Sequence, residues 1–373
     1  MSRINSPNTV LANSLTDALD IIRPRLEINK PKEVVFSVGT QINGIPHIGT
    51  YIVQCASFLL AKKVREKYKV ATSVEFGALD NAPFDVIQSQ GGYAYQRTYY
   101  HGMPPEELDK LISAYYTPYF GKLQELTEVT YKMATYTDTQ GSPLFRKHFL
   151  KTLPHAEKIG WCVGPSTGKL RIRIPCPQCF YAEKYAERTE LLRFDDQSAT
   201  FKCMCLNHGL YEATAQADGQ DDVYLDLNTL YRNLIKESST TDDPDKLYVM
   251  VKGGDWAFST QMVDWALGVL GYSSIQVPMR IFTPQIVTET GAKLSKSLIR
   301  EGDASMDEVP EWIIDMGKFR EQHPVAYIDH IIWLVEMFMS HPRHMYRSYS
   351  YQEVIRIFKQ RIEQKENPNE SEE

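Results

Sequence analysis

Nothing in this sequence approaches the ~20 consecutive apolar residues that a membrane span requires. The residues after Met1-Ser2-Arg3-Ile4-Asn5 also lack the apolar core of a secretory signal. Both absences make the cytoplasm the expected compartment, with no membrane partner. Excess positive charge is missing too. The 373 residues carry a formal net charge of −6, which argues against a protein whose whole surface binds nucleic acid. A local basic patch is still compatible with that balance, because the field at a site follows its own neighbours. Cysteines are scarce, six in all, so no disulfide framework is expected. Four of them crowd between Cys176 and Cys205, and in a reducing compartment such a cluster reads as a metal site. Cys55 and Cys162 stand apart and read as small buried apolar residues. There is no internal repeat. What the chain does have is an ordinary apolar share of 43% and enough length for two domains, or for one large domain with an insertion.

The chain is organised around residues 34–50. Val34-Val35-Phe36-Ser37-Val38 is a β-branched and aromatic run, the mark of a buried strand. The run breaks at Gly39, loops through Asn43-Gly44 and Pro46, and re-enters an apolar, helix-patterned stretch at 51–63. Strand, glycine-bearing loop and helix is the geometry that aims backbone N–H groups and a helix N-terminus at an anion. Residues 69–77 form a second strand, so the first crossover is right-handed and parallel. Asp80 and Asn81 follow at its carboxyl end, where open α/β sheets bind ligands. They are candidates to hold a ligand ammonium; the alternative is a turn in which Asp80 caps the backbone. Ahead of all this, residues 14–22 read as a short helix.

Further along, residues 104–126 read as mostly helical, 129–133 as a strand and 143–153 as another helix. The expected fold class is therefore a doubly wound α/β sheet with helices on both faces. Residues 170–213 change character. An alternating stretch at 170–174 runs into Cys176-Pro177-Gln178-Cys179, and Thr200-Phe201-Lys202 leads into Cys203-Met204-Cys205-Leu206-Asn207-His208-Gly209. Two knuckles on hairpins make a zinc ribbon, whose four thiolate or imidazole ligands complete a tetrahedron. Cys176, Cys179 and Cys205 are three of them. The fourth is either His208, which repeats the spacing of the first knuckle, or Cys203. With four protein ligands a Zn2+ site is closed, and so structural. Beyond it come a helix at 224–235 and a buried strand at 246–251 ending in Lys252-Gly253-Gly254-Asp255-Trp256. A helix at 261–270 and an extended segment at 281–287 lead to the loop Gly291-Ala292-Lys293-Leu294-Ser295-Lys296-Ser297. After Pro310 the pattern is helical to about 363, with breaks at Pro324 and Pro342. Residues 364–373 are a polar, acidic tail expected to be disordered.

Pro46-His47-Ile48-Gly49-Thr50 resembles the HIGH signature of class I aminoacyl-tRNA synthetases, with threonine in the last place. Lys293-Leu294-Ser295-Lys296-Ser297 resembles their KMSKS loop, with leucine for methionine. The two stand in the family's order, and Gly253-Gly254-Asp255 falls between them, where the family places a ribose-binding strand end. Within the class the chain is most similar to class I lysyl-tRNA synthetases. Their Ser-Gly-x-Pro-His-Ile-Gly segment corresponds to Asn43-Gly44-Ile45-Pro46-His47-Ile48-Gly49, and their acidic strand end to Leu79-Asp80-Asn81. Their helical segment is matched at 101–126, and their zinc insertion at 176–209. Trp256 stands where that family has histidine. The resemblance covers about residues 30–300.

This resemblance implies a Rossmann-like, HUP-type catalytic domain in two halves, 1–169 and 214–300, split by a zinc-ribbon insertion at 170–213. A helical C-terminal segment at 301–363 follows. The implied reaction is attack of an amino acid carboxylate on the α-phosphate of ATP, with Mg2+, and transfer to tRNA or to a small-molecule or protein acceptor. His47 and Thr50 would donate to phosphate oxygens, and Gly49 would leave room for adenine. Asp255 would accept from the ribose, while Lys293 and Lys296 would fold over the triphosphate. Gly39, Gly44, Gly254 and Ser295 complete the expected ATP-binding set. Asp80 and Asn81 would meet the amino acid, lysine or a lysine-like one. The chain after Ser297 is too short for that family's anticodon-binding domain. Two other readings stand beside this one. A non-catalytic binding or regulatory module does not need the paired lysines. A small cytidylyltransferase shares the His-x-Gly signature but not the size or the cysteine cluster.

Overall fold

The computed structural model describes residues 17–294, 309–324 and 326–366. In chain order the strands begin with β1 (Glu33–Gln41), β2 (Ala71–Leu79), β3 (Pro83–Gln88), β4 (Ala94–Thr98) and β5 (Thr130–Thr135). They continue as β6 (Ile172–Arg173), β7 (Ala182–Glu183), β8 (Glu190–Phe194), β9 (Ser198–Cys205), β10 (Gly209–Gln216) and β11 (Asp226–Leu227). The last four are β12 (Lys246–Gly253), β13 (Met279–Thr283), β14 (Ile286–Val287) and β15 (Tyr349–Ser350). Five of them form the central sheet in the order β13-β12-β1-β2-β5, every pair parallel. Counted along the chain this is the doubly wound 3-2-1-4-5 arrangement, with its switch point between β1 and β12. The expected fold class is the observed one.

The two faces of the sheet differ. Val34, Phe36 and Val38 of β1, Val74 and Phe76 of β2, and Leu247, Val249 and Val251 of β12 belong to one apolar core. That core is closed by the helix Ile48–Tyr68 and by the C-terminal helices, Tyr327–Met339 among them. On the opposite face alternation brings up Ser37, Glu75, Gly77, Met250 and Lys252. This polar face is where space is left. A second core fills in beyond it, from the helices Pro143–Thr152, Ala156–Val163, Thr229–Thr240 and Ala257–Val269 together with β9 and β10.

Several elements depart from the sequence reading for local reasons. The helix expected at 104–126 is two, Pro105–Tyr115 and Thr117–Thr127, because Pro118 has no N–H to continue the ladder. The helix expected at 224–235 begins instead at Thr229, where the Asn228 side chain accepts from the Tyr231 N–H at 2.8 Å, and it runs to Thr240. The alternating stretch at 170–174 contributes only the two residues of β6, paired with β11. The cysteine-bearing segment is tied to the rest of the fold, β7 pairing with β4 of a β3–β4 hairpin. No described helix is long and apolar enough to cross a membrane.

Candidate functional site

The carboxyl ends of β1, β12 and β13, with the helix Thr229–Thr240, enclose a cavity of about 460 Å3. It lies at the switch point, where the chains leaving β1 and β12 turn to opposite faces and open a crevice. Gly39, His47, Gly49, Thr50, Asp255 and Lys293, all named from the sequence, line it. His47 is the N-cap of the helix Ile48–Tyr68, and its Nδ1 accepts from the Gly49 N–H at 3.1 Å. In the neutral ring that leaves the proton on Nε2, as a donor. Gly49 is required by this cap, since a Cβ there would lie 2.9 Å from the imidazole Cε1. The Thr50 N–H donates to the His47 carbonyl at 2.9 Å. Gly44, at positive φ, sits in the loop leading to this cap and not in the cavity wall.

Across the crevice, Gly254–Trp256 is one 3-10 turn at the end of β12. Gly254 lets the turn approach β13: a Cβ would stand 3.2 Å from the Thr283 carbonyl oxygen. Asp255 is ion-paired with Lys293 at 2.5 Å. Lys293 is brought there by a tight return after β14, in which the Thr288 N–H donates to the Ala292 carbonyl and Lys293 bridges to Val287. Ser295 and Lys296 lie outside the described residues.

Asp80 and Asn81 are brought near the site but not into its wall. Both are buried. Asp80 accepts from the Thr137 N–H at 3.1 Å and from its hydroxyl at 2.5 Å, at the start of the helix Tyr136–Gly141. Burial pushes its carboxyl above the usual range, against the pull of those two bonds. Asn81 donates to Asp226 at 3.1 Å and accepts from Arg232 at 2.5 Å.

The sequence reading missed Arg232 and Lys236 in this wall, and named Lys252 only as part of the turn that ends β12. Arg232, Lys236 and Lys252 line the cavity alongside Lys293, against the two carboxylates of Glu237 and Asp255. A lysine or arginine on a helix reads as a solvated face, and the i, i+4 spacing of Arg232 and Lys236 was the one available signal of a shared direction. Glu237 is committed elsewhere, 2.6 Å from Arg280 and 3.6 Å from Lys252. Burial lowers the ammonium groups of Lys236 and Lys252, that of Lys252 to about 8.

A second assembly lies apart from the cavity. Cys176, Cys179, Cys205 and His208 present four donor atoms within 4.8 Å of one another. Cys179 Sγ is 3.4 Å from Cys205 Sγ, and His208 Nδ1 is 3.4 and 3.5 Å from the Cys176 and Cys205 sulfurs. A tetrahedral zinc site with ordinary bond lengths has edges of about 3.5–3.8 Å, so the donor set fits the ion. Gly209, at φ +73°, turns the chain back into β10 so that His208 faces the first knuckle. Cys203, the other expected ligand, is not part of the cluster. It is buried in the second core, beside Tyr211 and Thr189.

No protein-family model and no curated protein sequence matches the chain. Among solved structures it is similar to Mycobacterium tuberculosis methionyl-tRNA synthetase in complex with methionyl-adenylate. The identity is 15% and the TM-score 0.40, over 87% of this chain and 67% of that one. A glutamate tRNA ligase from Elizabethkingia meningosepticum in complex with its amino acid is similar at 13% identity and TM-score 0.39, over 84% and 66%. A tryptophanyl-tRNA synthetase from Encephalitozoon cuniculi bound to tryptophan is similar at 10% identity and TM-score 0.39, over 91% and 92%.

Proposed function

We propose that this chain is an enzyme that adenylates an amino acid with ATP and hands it to an acceptor. One observation carries the reading: the His47–Gly49 cap, the Asp255 turn and Lys293 converge on one cavity at the switch point. Phosphoryl and nucleotidyl transfer depend on positioning and on neutralising developing charge more than on a general base. His47 Nε2, Thr50 and Lys293 supply donors for phosphate oxygens, Asp255 accepts from ribose hydroxyls, and Lys296 joins Lys293 over the leaving pyrophosphate. Mg2+ comes with the nucleotide, held by phosphate oxygens and water. The Cys176/Cys179/Cys205/His208 cluster holds one structural Zn2+, since all four positions are filled by protein.

Lysine as the amino acid stands on the sequence resemblance alone. In the wall of the cavity Glu237 and Asp255 already have cationic partners, which leaves a lysine side chain no unclaimed carboxylate. The acceptor is tRNA, or a small molecule or protein. The test is amino-acid-dependent ATP–pyrophosphate exchange over a panel of amino acids, with and without tRNA. Exchange with at least one amino acid supports the reading; no exchange with any of them, from protein that binds ATP, leaves a non-catalytic module.

A further inference from the structure

The cavity has two sides, and only one is accounted for by a nucleotide. His47, Asp255 and Lys293 gather at the ends of β1, β12 and β13. The other side is walled by Thr135, the last residue of β5, by Tyr136 and Thr139 just after it, and by Thr229, Arg232, Asn233 and Lys236 of the helix Thr229–Thr240. Arg232 and Lys236 are one turn apart on that helix. Arg232 is 5% exposed, its guanidinium lies 5.4 Å from the Tyr136 ring centroid, and it donates to Asn81. Lys236 donates to Ser37 Oγ at 2.8 Å, and its Nζ sits 3.9 Å from where a Gly77 Cβ would be, at the floor between β1 and β2.

Among the described residues neither cation has a carboxylate within ion-pairing distance. Of the nearby acids, Asp226 is paired with Arg173 at 2.6 Å and Glu237 with Arg280, while Glu75, in contact with the Tyr248 hydroxyl at 3.5 Å, acts on Lys236 only from beyond ion-pair distance. A buried cation with no carboxylate in direct contact is costly, and two on one helix face, both lining the same cavity, are an arrangement that an anionic ligand would relieve. Asn81 and Tyr136 hold the guanidinium in place, with the Asn81 amide in turn anchored on Asp226.

We infer that the substrate lying beside the nucleotide is a dicarboxylic compound of the acidic amino acid type, whose distal carboxylate is received by Arg232 and Lys236. The inference rests on the adenylation reading for the reaction, but the anion subsite can be tested without it. Glutamate, aspartate and lysine are each titrated into the full-length protein by calorimetry, with ATP titrated in parallel. The same titrations are repeated with Arg232→Met and Lys236→Met, and pyrophosphate exchange is run with each amino acid. The expected result is that an acidic amino acid binds and lysine does not. Each substitution should then weaken the acid by about 100-fold while ATP affinity stays within about threefold. Should Arg232→Met fail to fold, Lys236→Met reads the same contact. Binding of lysine in place of the acids, no binding of either acid, or equal weakening of ATP and acid would overturn the inference. Acid binding that depends on Arg232 without any exchange would overturn adenylation and leave the subsite standing. Exchange driven by lysine would do the reverse.

Discussion

The cavity and the cysteine–histidine cluster arrange their polar groups in opposite ways. In the cluster four donors stand within 4.8 Å of one another, positioned by two turns whose backbones face inward, and nothing remains for a substrate to do. The cavity is open, its polar groups come from β1, β12, β13, the end of β5 and a helix, and its cations outnumber its carboxylates. A closed set of soft ligands makes a permanent structural bond. An open set of imperfectly paired charges stores an electrostatic demand that a transient anion can meet. The two regions should therefore fail in different ways.

The largest effect is expected in the cluster. Cys179→Ser should abolish stoichiometric zinc in metal analysis of the purified protein and lower unfolding stability by on the order of several kcal/mol, whereas Cys203→Ser should keep the metal. Zinc retained in the first variant, or lost in the second, would mean that the ligand set is drawn wrongly. In the cavity the damage should fall on rate. His47→Ala removes both the helix cap and the Nε2 donor. Amino acid activation should drop about 10²- to 10³-fold, while stability falls by only about 1 kcal/mol. A loss of stability large enough to explain the rate would return His47 to a purely structural role.

Asp80 sharpens the contrast, because the sequence allowed it either role. Both its oxygens are taken by Thr137, so Asp80→Ala should act first on folding, at about 2 kcal/mol for two lost hydrogen bonds at a helix start. A KM for the amino acid raised 100-fold at unchanged stability would instead make it the ammonium ligand.

What could be read in advance follows the same division. Positions where the backbone is under constraint leave marks: the Pro46-His47-Ile48-Gly49 cap, the Gly253-Gly254-Asp255 turn and the Cys-x-x-Cys and Cys-x-x-His knuckles each need a particular residue type at a fixed offset. The β-branched runs of β1, β2 and β12 gave the sheet for the same reason. Arg232, Lys236 and Lys252 carry no such mark, since an arginine or lysine on a regular helix or strand end imposes nothing on the backbone. Their direction is set only by which face of the sheet the helix covers. The β3–β4 hairpin was missed as well, although Gly91-Gly92 between Val86-Ile87 and Tyr93 is a turn signal. The spacing of Cys203 fits a ligand, and it shares a face of β9 with Cys205, but it lies two residues farther from the turn and packs into the second core.

The smallest effect is expected from Lys252, and it tests the claim that the cavity holds incompletely paired charge. Its Nζ lies 3.6 Å from Glu237 and 5.3 Å from the Trp256 ring centroid. Burial lowers it to about 8, opposed by Glu237 and reinforced by Arg280, Lys236 and Arg232. The unfolded chain keeps its lysine proton up to about 10.5. Below pH 8 both states are protonated and the full burial penalty is present. Between about pH 8 and 10.5 the native state gives up a proton that the unfolded state retains, so stability rises with pH in that window. The wild type should gain on Lys252→Met by about 1 kcal/mol per pH unit at most, read as the difference between urea denaturation curves at pH 7.5, 8.5 and 9.5. Subtracting the variant removes the titration of every other group. Saturating ATP should flatten the difference, because a bound polyphosphate stabilises the charged ammonium and returns its pKa toward the ordinary value. A difference that is flat without nucleotide would show that Lys252 is solvated and that the cavity makes no demand for an anion at that position.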